Sequence, residues 1–221
     1  MANSVGRRVA AEGVGTALLL VAVVGSGIMA QRLCGGNVGL ALLANAIATG
    51  GALIALIVTF APISGAHFNP VVTIAFAVRG DVRGRVTVFY ILAQVIGAVI
   101  GVWIAHLMFA LPILQWSSHA RGTAGEWIGE FVATFGLLAL ILSASRHAPA
   151  AVPYGVAAYI TGAYWFTSST SFANPAVTIA RSLTNTFAGI EPGHAPAFIA
   201  AELIGGGAAM LMFGWLLDER E

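Results

Sequence analysis

The heptapeptide Asn-Pro-Val-Val-Thr-Ile-Ala at 69–75 returns almost unchanged as Asn-Pro-Ala-Val-Thr-Ile-Ala at 174–180. Both copies lie among long apolar runs, where a polar Asn and a Pro that cannot continue a helix are each costly. Asn is a good N-cap, and Pro is at home in the first helical position, where its missing N–H is not needed. Each Asn-Pro therefore predicts the start of a helix. The preceding residues, Ser-Gly-Ala-His-Phe and Thr-Ser-Ser-Thr-Ser-Phe-Ala, are small or polar and suit an extended loop. The apolar pieces that follow, about 70–79 and 175–183, reach only halfway across a bilayer at ~1.5 Å per residue.

The rest of the chain supplies the bilayer context. Of 221 residues, 58% are hydrophobic and 9% charged, with no Lys. Soluble domains carry about 25% charged residues, so only an integral membrane protein fits. Six spans of roughly 20 apolar residues can be drawn, near 9–30, 38–61, 85–109, 127–144, 151–168 and 195–217. With the N-terminus inside, Arg7, Arg8, Arg79, Arg83, Arg85, Arg146 and Arg220 fall on the cytoplasmic side, against Arg32, Arg121 and Arg181 outside. This bias favours both termini in the cytoplasm. A net charge of +1 gives no pointer to nucleic acid, and the single Cys34 excludes an internal disulfide.

Landmarks repeat in order. Ala11–Leu20 matches Gly129–Leu138, pairing Glu12 with Glu130; Asn69 pairs with Asn174; and Gln94 in Ala-Gln-Val-Ile-Gly-Ala pairs with Glu202 in Ala-Glu-Leu-Ile-Gly-Gly. Each half, about 9–109 and 127–217 within one domain of 1–221, holds three spans and one short piece. Three is odd, so the second half runs through the membrane inverted. The expected fold is all-α: six transmembrane helices plus two re-entrant half-helices in an inverted 3+3 repeat. Irregular backbone at membrane depth is tolerated where it lines an aqueous cavity. Two half-helix N-termini meeting at the centre place two positive dipole ends there. The amides of Asn69 and Asn174 can donate to a passing oxygen, and a positive midpoint repels cations. Neutral, hydroxyl-bearing solutes suit such a lining.

The motifs Ala-Glu-Gly-Val-Gly-Thr, Ser-Gly-Ala-His-Phe-Asn-Pro-Val-Val-Thr, Ala-Gln-Val-Ile-Gly-Ala and Ser-Phe-Ala-Asn-Pro-Ala-Val-Thr together resemble the aquaporin, or major intrinsic protein, family over nearly the whole chain. The resemblance implies two pore motifs, Asn69-Pro70-Val71 and Asn174-Pro175-Ala176. It implies pore-lining loop carbonyls at Gly65, Ala66, His67, Ser169, Thr170 and Ser171, and a homotetramer with one pore per subunit. Glycine clusters at 97–101 and 205–207 would allow close helix contacts between or within subunits.

Where most family members place an Arg directly after the second motif, this chain has Val177. By spacing from the two Asn residues, the other filter positions fall on Thr49, Gly162 and Ser171. No member of this set is aromatic or charged, which predicts a wide filter passing water, glycerol and larger neutral solutes. An Arg-free filter with Thr and Val resembles the bacterial arsenic-resistance aquaglyceroporin branch, which implies arsenite or methylated arsenicals as substrates and the bacterial inner membrane as location. The rival readings are a water-selective channel and a coupled secondary transporter.

Arg181, one turn beyond Val177, reads either as a displaced charge guarding the outer mouth or as a snorkelling side chain bonded to loop carbonyls. Glu12 and Glu130 read as acceptors for loop N–H groups, and His67 as either a solute contact or a loop tie. His106, His119, His147 and His194 read as surface or interface residues, and Tyr164, Trp165 and Phe166 as packing or interfacial aromatics. No catalytic set, metal-ligand spacing or cofactor motif is legible, so the chain reads as a channel rather than an enzyme.

Overall fold

The computed structural model describes residues 4–218; Arg220, counted above in the charge bias, lies outside them. Eight α-helices follow in order: α1 (Val5–Leu33), α2 (Val38–Ser64), α3 (Pro70–Val78), α4 (Gly84–Met108), α5 (Ala124–His147), α6 (Val152–Phe166), α7 (Pro175–Arg181) and α8 (Ala195–Leu216). A 3-10 turn at Pro149–Ala151 leads into α6.

Local chemistry sets the boundaries. The Asn37 side chain caps α2 by accepting from Leu40 N at 2.9 Å. Gly65 ends that helix in the left-handed region at φ 97°, where L side chains are strained. Thr123 and Glu126 close a capping box on α5. Five helices (α1, α2, α4, α5 and α8) are long and apolar enough to cross a bilayer. The sixth expected span is shorter: α6 has 15 residues, because the chain leaves the helix after Phe166 to enter the second loop.

The two halves correspond element by element: α1 with α5, α2 with α6, α3 with α7, and α4 with α8. The pair α1–α4 is mirrored by α5–α8, and α1–α2 by α5–α6, while each half-helix also packs against the long helix of the other half. Small residues make the close crossings. A Cβ on Gly97 would stand 2.2 Å from the Gly13 carbonyl oxygen, and one on Gly101 2.2 Å from that of Ala17. The repeat-related Gly205 would meet the Phe131 carbonyl at 2.4 Å. Both glycine clusters thus serve contacts within one chain. Large apolar side chains such as Leu92, Ile96, Ile204 and Leu211 are exposed on the outside of the bundle, where lipid tails would meet them.

The Gly13 carbonyl cannot withdraw unless α1 moves, so Gly97→Val is expected to destabilise by about 3 kcal/mol. Thermal unfolding in detergent checks this. A midpoint within about 2 °C of the parent would mean that the crossing is looser than described.

Candidate functional site

The half-helices α3 and α7 meet N-terminus to N-terminus inside the bundle. The Asn69 carbonyl oxygen Oδ1 accepts from Val71 N at 2.9 Å, and that of Asn174 from Ala176 N at 3.0 Å and Val177 N at 3.3 Å. Each amide then reaches across to the opposite loop. Asn69 Nδ2 donates to the Ala173 carbonyl at 2.7 Å, and Asn174 Nδ2 to that of Phe68 at 2.8 Å. An amide nitrogen carries two protons, so each Asn keeps one for the cavity that both side chains line. The reciprocal bonds lock the half-helices together at the point where their positive ends converge.

The loops before them share one backbone pattern. Ala66 and Phe68 take φ of 51° and 49°, and Ser171 and Ala173, each 105 residues later, take 53° and 50°. Such left-handed non-glycine residues cost roughly 1–3 kcal/mol each, so the loops need outside support. Glu12 gives it to the first: Oε1 accepts from Ser64 Oγ (2.6 Å) and His67 N (3.0 Å), and Oε2 from Phe68 N (2.7 Å) and Gln94 Nε2 (2.8 Å). Glu130 does the same for the second, accepting from Phe172 N at 2.8 Å and Ala173 N at 2.6 Å.

The halves differ in one member of this network. Gln94 Nε2 bridges Glu12 and Thr73 Oγ1, both at 2.8 Å. Its counterpart is a carboxylic acid: Glu202 Oε1 accepts from Thr178 Oγ1 at 2.6 Å, while Oε2, beside Glu130, has no donor among the described side chains. Glu202→Gln would supply an amide donor there and reproduce the first half. It is expected to keep flux and to hold or raise the unfolding midpoint; a fall of more than about 5 °C would contradict the equivalence.

A cavity of about 120 Å³ is lined by both Asn side chains. One stretch of its wall is apolar, with Leu19 and Val23 of α1 answered by Leu137 and Ile141 of α5. Gly65, Ala66 and His67 of the first loop line it, as do Ser171, Phe172 and Ala173 of the second. Ser169 and Thr170 do not. The Ser169 carbonyl instead accepts from Arg121 Nη1 at 3.1 Å, and Thr170 Oγ1 stands 3.5 Å from the same nitrogen. Pro70, Val71, Pro175 and Ala176 are buried behind the wall. His67 combines both roles open to it: its ring lines the cavity, and Nδ1 lies 3.1 Å from Thr73 Oγ1.

Of the four filter positions located by spacing, Thr49, Ser171 and Val177 line this wall, and Gly162 is not among its lining residues. A Cβ on Gly162 would meet the ring of Phe166 on its own helix. The α6 face toward the cavity is Val152, Val156, Ile160 and Tyr164. Tyr164 is thus a wall residue rather than a packing aromatic, buried with its hydroxyl 3.3 Å from Thr49 Oγ1. Arg181 also lines the cavity, 2% exposed, with Nε bonded to the Ala188 carbonyl. One other residue departs from its sequence reading. His106 is fully buried, its ring nitrogens on Ile113 O (2.9 Å) and Thr184 Oγ1 (2.8 Å). Arg121 folds back from the outer loop onto the second re-entrant loop and also donates to the Gly189 carbonyl at 2.9 Å.

A bundle of apolar spans in which two half-helices meet N-terminus to N-terminus on an internal cavity fits a multi-pass membrane channel. The chain belongs to the major intrinsic protein family, whose model matches residues 2–169. It is 53% identical over 212 residues to the aquaglyceroporin AqpS of Rhizobium meliloti (strain 1021), covering 96% of this chain and 91% of that protein. A probable aquaporin, TIP2-2 of Oryza sativa subsp. japonica, is 29% identical over 93% of this chain and 85% of its own length. The crystal structure of an aquaglyceroporin from Plasmodium falciparum shares the fold at TM-score 0.74 and 18% identity, with 97% of each chain covered.

Proposed function

We propose that the chain passes small neutral solutes passively and in both directions: water, glycerol, and arsenite or methylated arsenicals. The observation that carries this reading is the outer wall, where Thr49, Ser171 and Val177 leave no charge directly after the second Asn-Pro-Ala. The short Val177 side chain in place of an Arg removes bulk and charge at that position, which favours solutes larger than water. Arsenite at neutral pH is an uncharged trihydroxide, close in shape to glycerol, so a path that accepts one suits the other. The 53% identity to an aquaglyceroporin supports the polyol half of the reading. The midpoint offers amide protons and helix N-termini, the wrong polarity for coupling to Na⁺, which disfavours a carrier.

The same reading puts the chain in a bacterial inner membrane with both termini in the cytoplasm, following the arginine bias, and as a homotetramer with a pore in each subunit. Direct arsenite uptake into proteoliposomes tests it. Uptake above that of empty vesicles, linear in concentration and indifferent to collapsed ion gradients, is the expected result. Saturating uptake that needs an ion gradient would favour a carrier, and rapid water flux with no arsenite uptake would favour a water-selective channel.

A further inference from the structure

We propose that solutes are sorted at a second ring, one helical turn outside Val177, built by Arg181, Tyr164 and Phe172. This rests on the channel reading above and names the specificity determinants of that same path. The ring takes a neutral polyhydroxyl solute and refuses cations.

Arg181 supplies the charge. It lies four residues beyond Val177 on α7, and both line the cavity. A guanidinium has five N–H donors. Nε spends one on the Ala188 carbonyl, and neither Nη has a bond among the described residues. Four donors on a 2% exposed side chain thus remain for whatever occupies the cavity. A buried charge needs hydrogen-bond partners, and here an oxygen-bearing solute or water supplies them. The acids that balance this charge, Glu130 and Glu202, do not line the cavity.

Phe172 holds the guanidinium in place. The Arg181 guanidinium carbon stands 3.3 Å from its ring centroid, and that of Arg121 5.2 Å. One aromatic ring therefore orients two cations, Arg181 on the cavity wall and Arg121 off it. The wall also carries hydroxyls. Tyr164 and Thr49 share one bond at 3.3 Å, which leaves one hydroxyl proton and spare lone pairs. Ser171 also contributes to the wall, although its Oγ is itself buried, without a partner among the described residues. A polyol or trihydroxide can accept from Arg181 and exchange bonds with these hydroxyls while its apolar side rests on Phe172. Water meets the same groups but has one oxygen to offer them where a polyol has several. A cation meets the Arg181 guanidinium on the wall, with the charge of Arg121 beside the same ring.

Flux of water, glycerol and methylammonium into proteoliposomes tests this with wild type, Arg181→Gln, Arg181→Lys and Tyr164→Phe. Wild type should pass glycerol and exclude methylammonium. Arg181→Gln should raise methylammonium flux about tenfold or more relative to water, while Arg181→Lys retains exclusion. Tyr164→Phe, which keeps the ring and loses the hydroxyl, should lower the glycerol-to-water ratio about threefold. Arg181→Gln vesicles with normal water flux and unchanged methylammonium exclusion would overturn the proposal, as would an unchanged ratio in Tyr164→Phe. Should Arg181→Gln fail to reach the vesicles, Tyr164→Phe decides alone. Wild type that passes water but no glycerol would instead count against the channel reading on which the ring rests.

Discussion

Val177→Arg is expected to cut glycerol and arsenite flux by about tenfold or more, equivalent to about 1.4 kcal/mol of barrier, while sparing most water flux. Val177 sits on the cavity wall beside Ser171, with Thr49 and Tyr164 contributed by α2 and α6. Replacing its short apolar side chain by a long cation narrows that level and adds a charge one turn below Arg181. Discrimination by size is steep here, since a single methylene in a fitted site changes selectivity by about tenfold or more. Stopped-flow light scattering on proteoliposomes separates the two solutes. Glycerol flux equal to wild type would mean that position 177 is not at a constriction, and the wide-filter argument would lose its basis.

Glu12→Ala is expected to remove the folded channel rather than to tune it. Four donors end on that carboxylate, two of them backbone N–H groups of a loop that carries left-handed residues. Leaving buried donors without partners costs about 1–3 kcal/mol each, against a net stability of only about 5–15 kcal/mol. Glu130→Ala loses two backbone bonds and should be the milder lesion. Glu12→Gln keeps one acceptor oxygen but sets a second donor against Phe68 N and Gln94, so it should fall between Glu12→Ala and wild type. Unfolding midpoints in detergent, with water flux on whatever reconstitutes, check the order. A Glu12→Ala protein with wild-type water flux would show that the first loop holds its shape without the carboxylate.

The half-helices were legible because their chemistry is local. An Asn that caps and a Pro that starts a helix say the same thing wherever they stand, and repetition in an inverted frame placed the two copies opposite each other. The acids at 12 and 130 were legible for a related reason, since a charge inside an apolar span must have a partner. The filter was less so. Counting twelve residues back from Asn174 reached Gly162, but residue count through an irregular loop does not record which way α6 faces. Two residues turn a helix by about 200°, enough to exchange Gly162 for Tyr164. The signal that was present is the four-residue spacing of Val152, Val156, Ile160 and Tyr164. Arg121 had no such signal. Its role comes from the outer loop folding back onto the Ser169 and Gly189 carbonyls, a long-range contact that no local pattern encodes. The Ser169 carbonyl is tied to that arginine for the same reason.

The central claim is that this channel carries neutral polyols as well as water, and re-swelling after a glycerol shock tests it most directly. Wild-type proteoliposomes mixed with hyperosmotic glycerol should shrink quickly and then re-swell well ahead of empty vesicles. Rapid shrinkage followed by re-swelling at the empty-vesicle rate would contradict the account, because it would show a path that admits water and stops at glycerol.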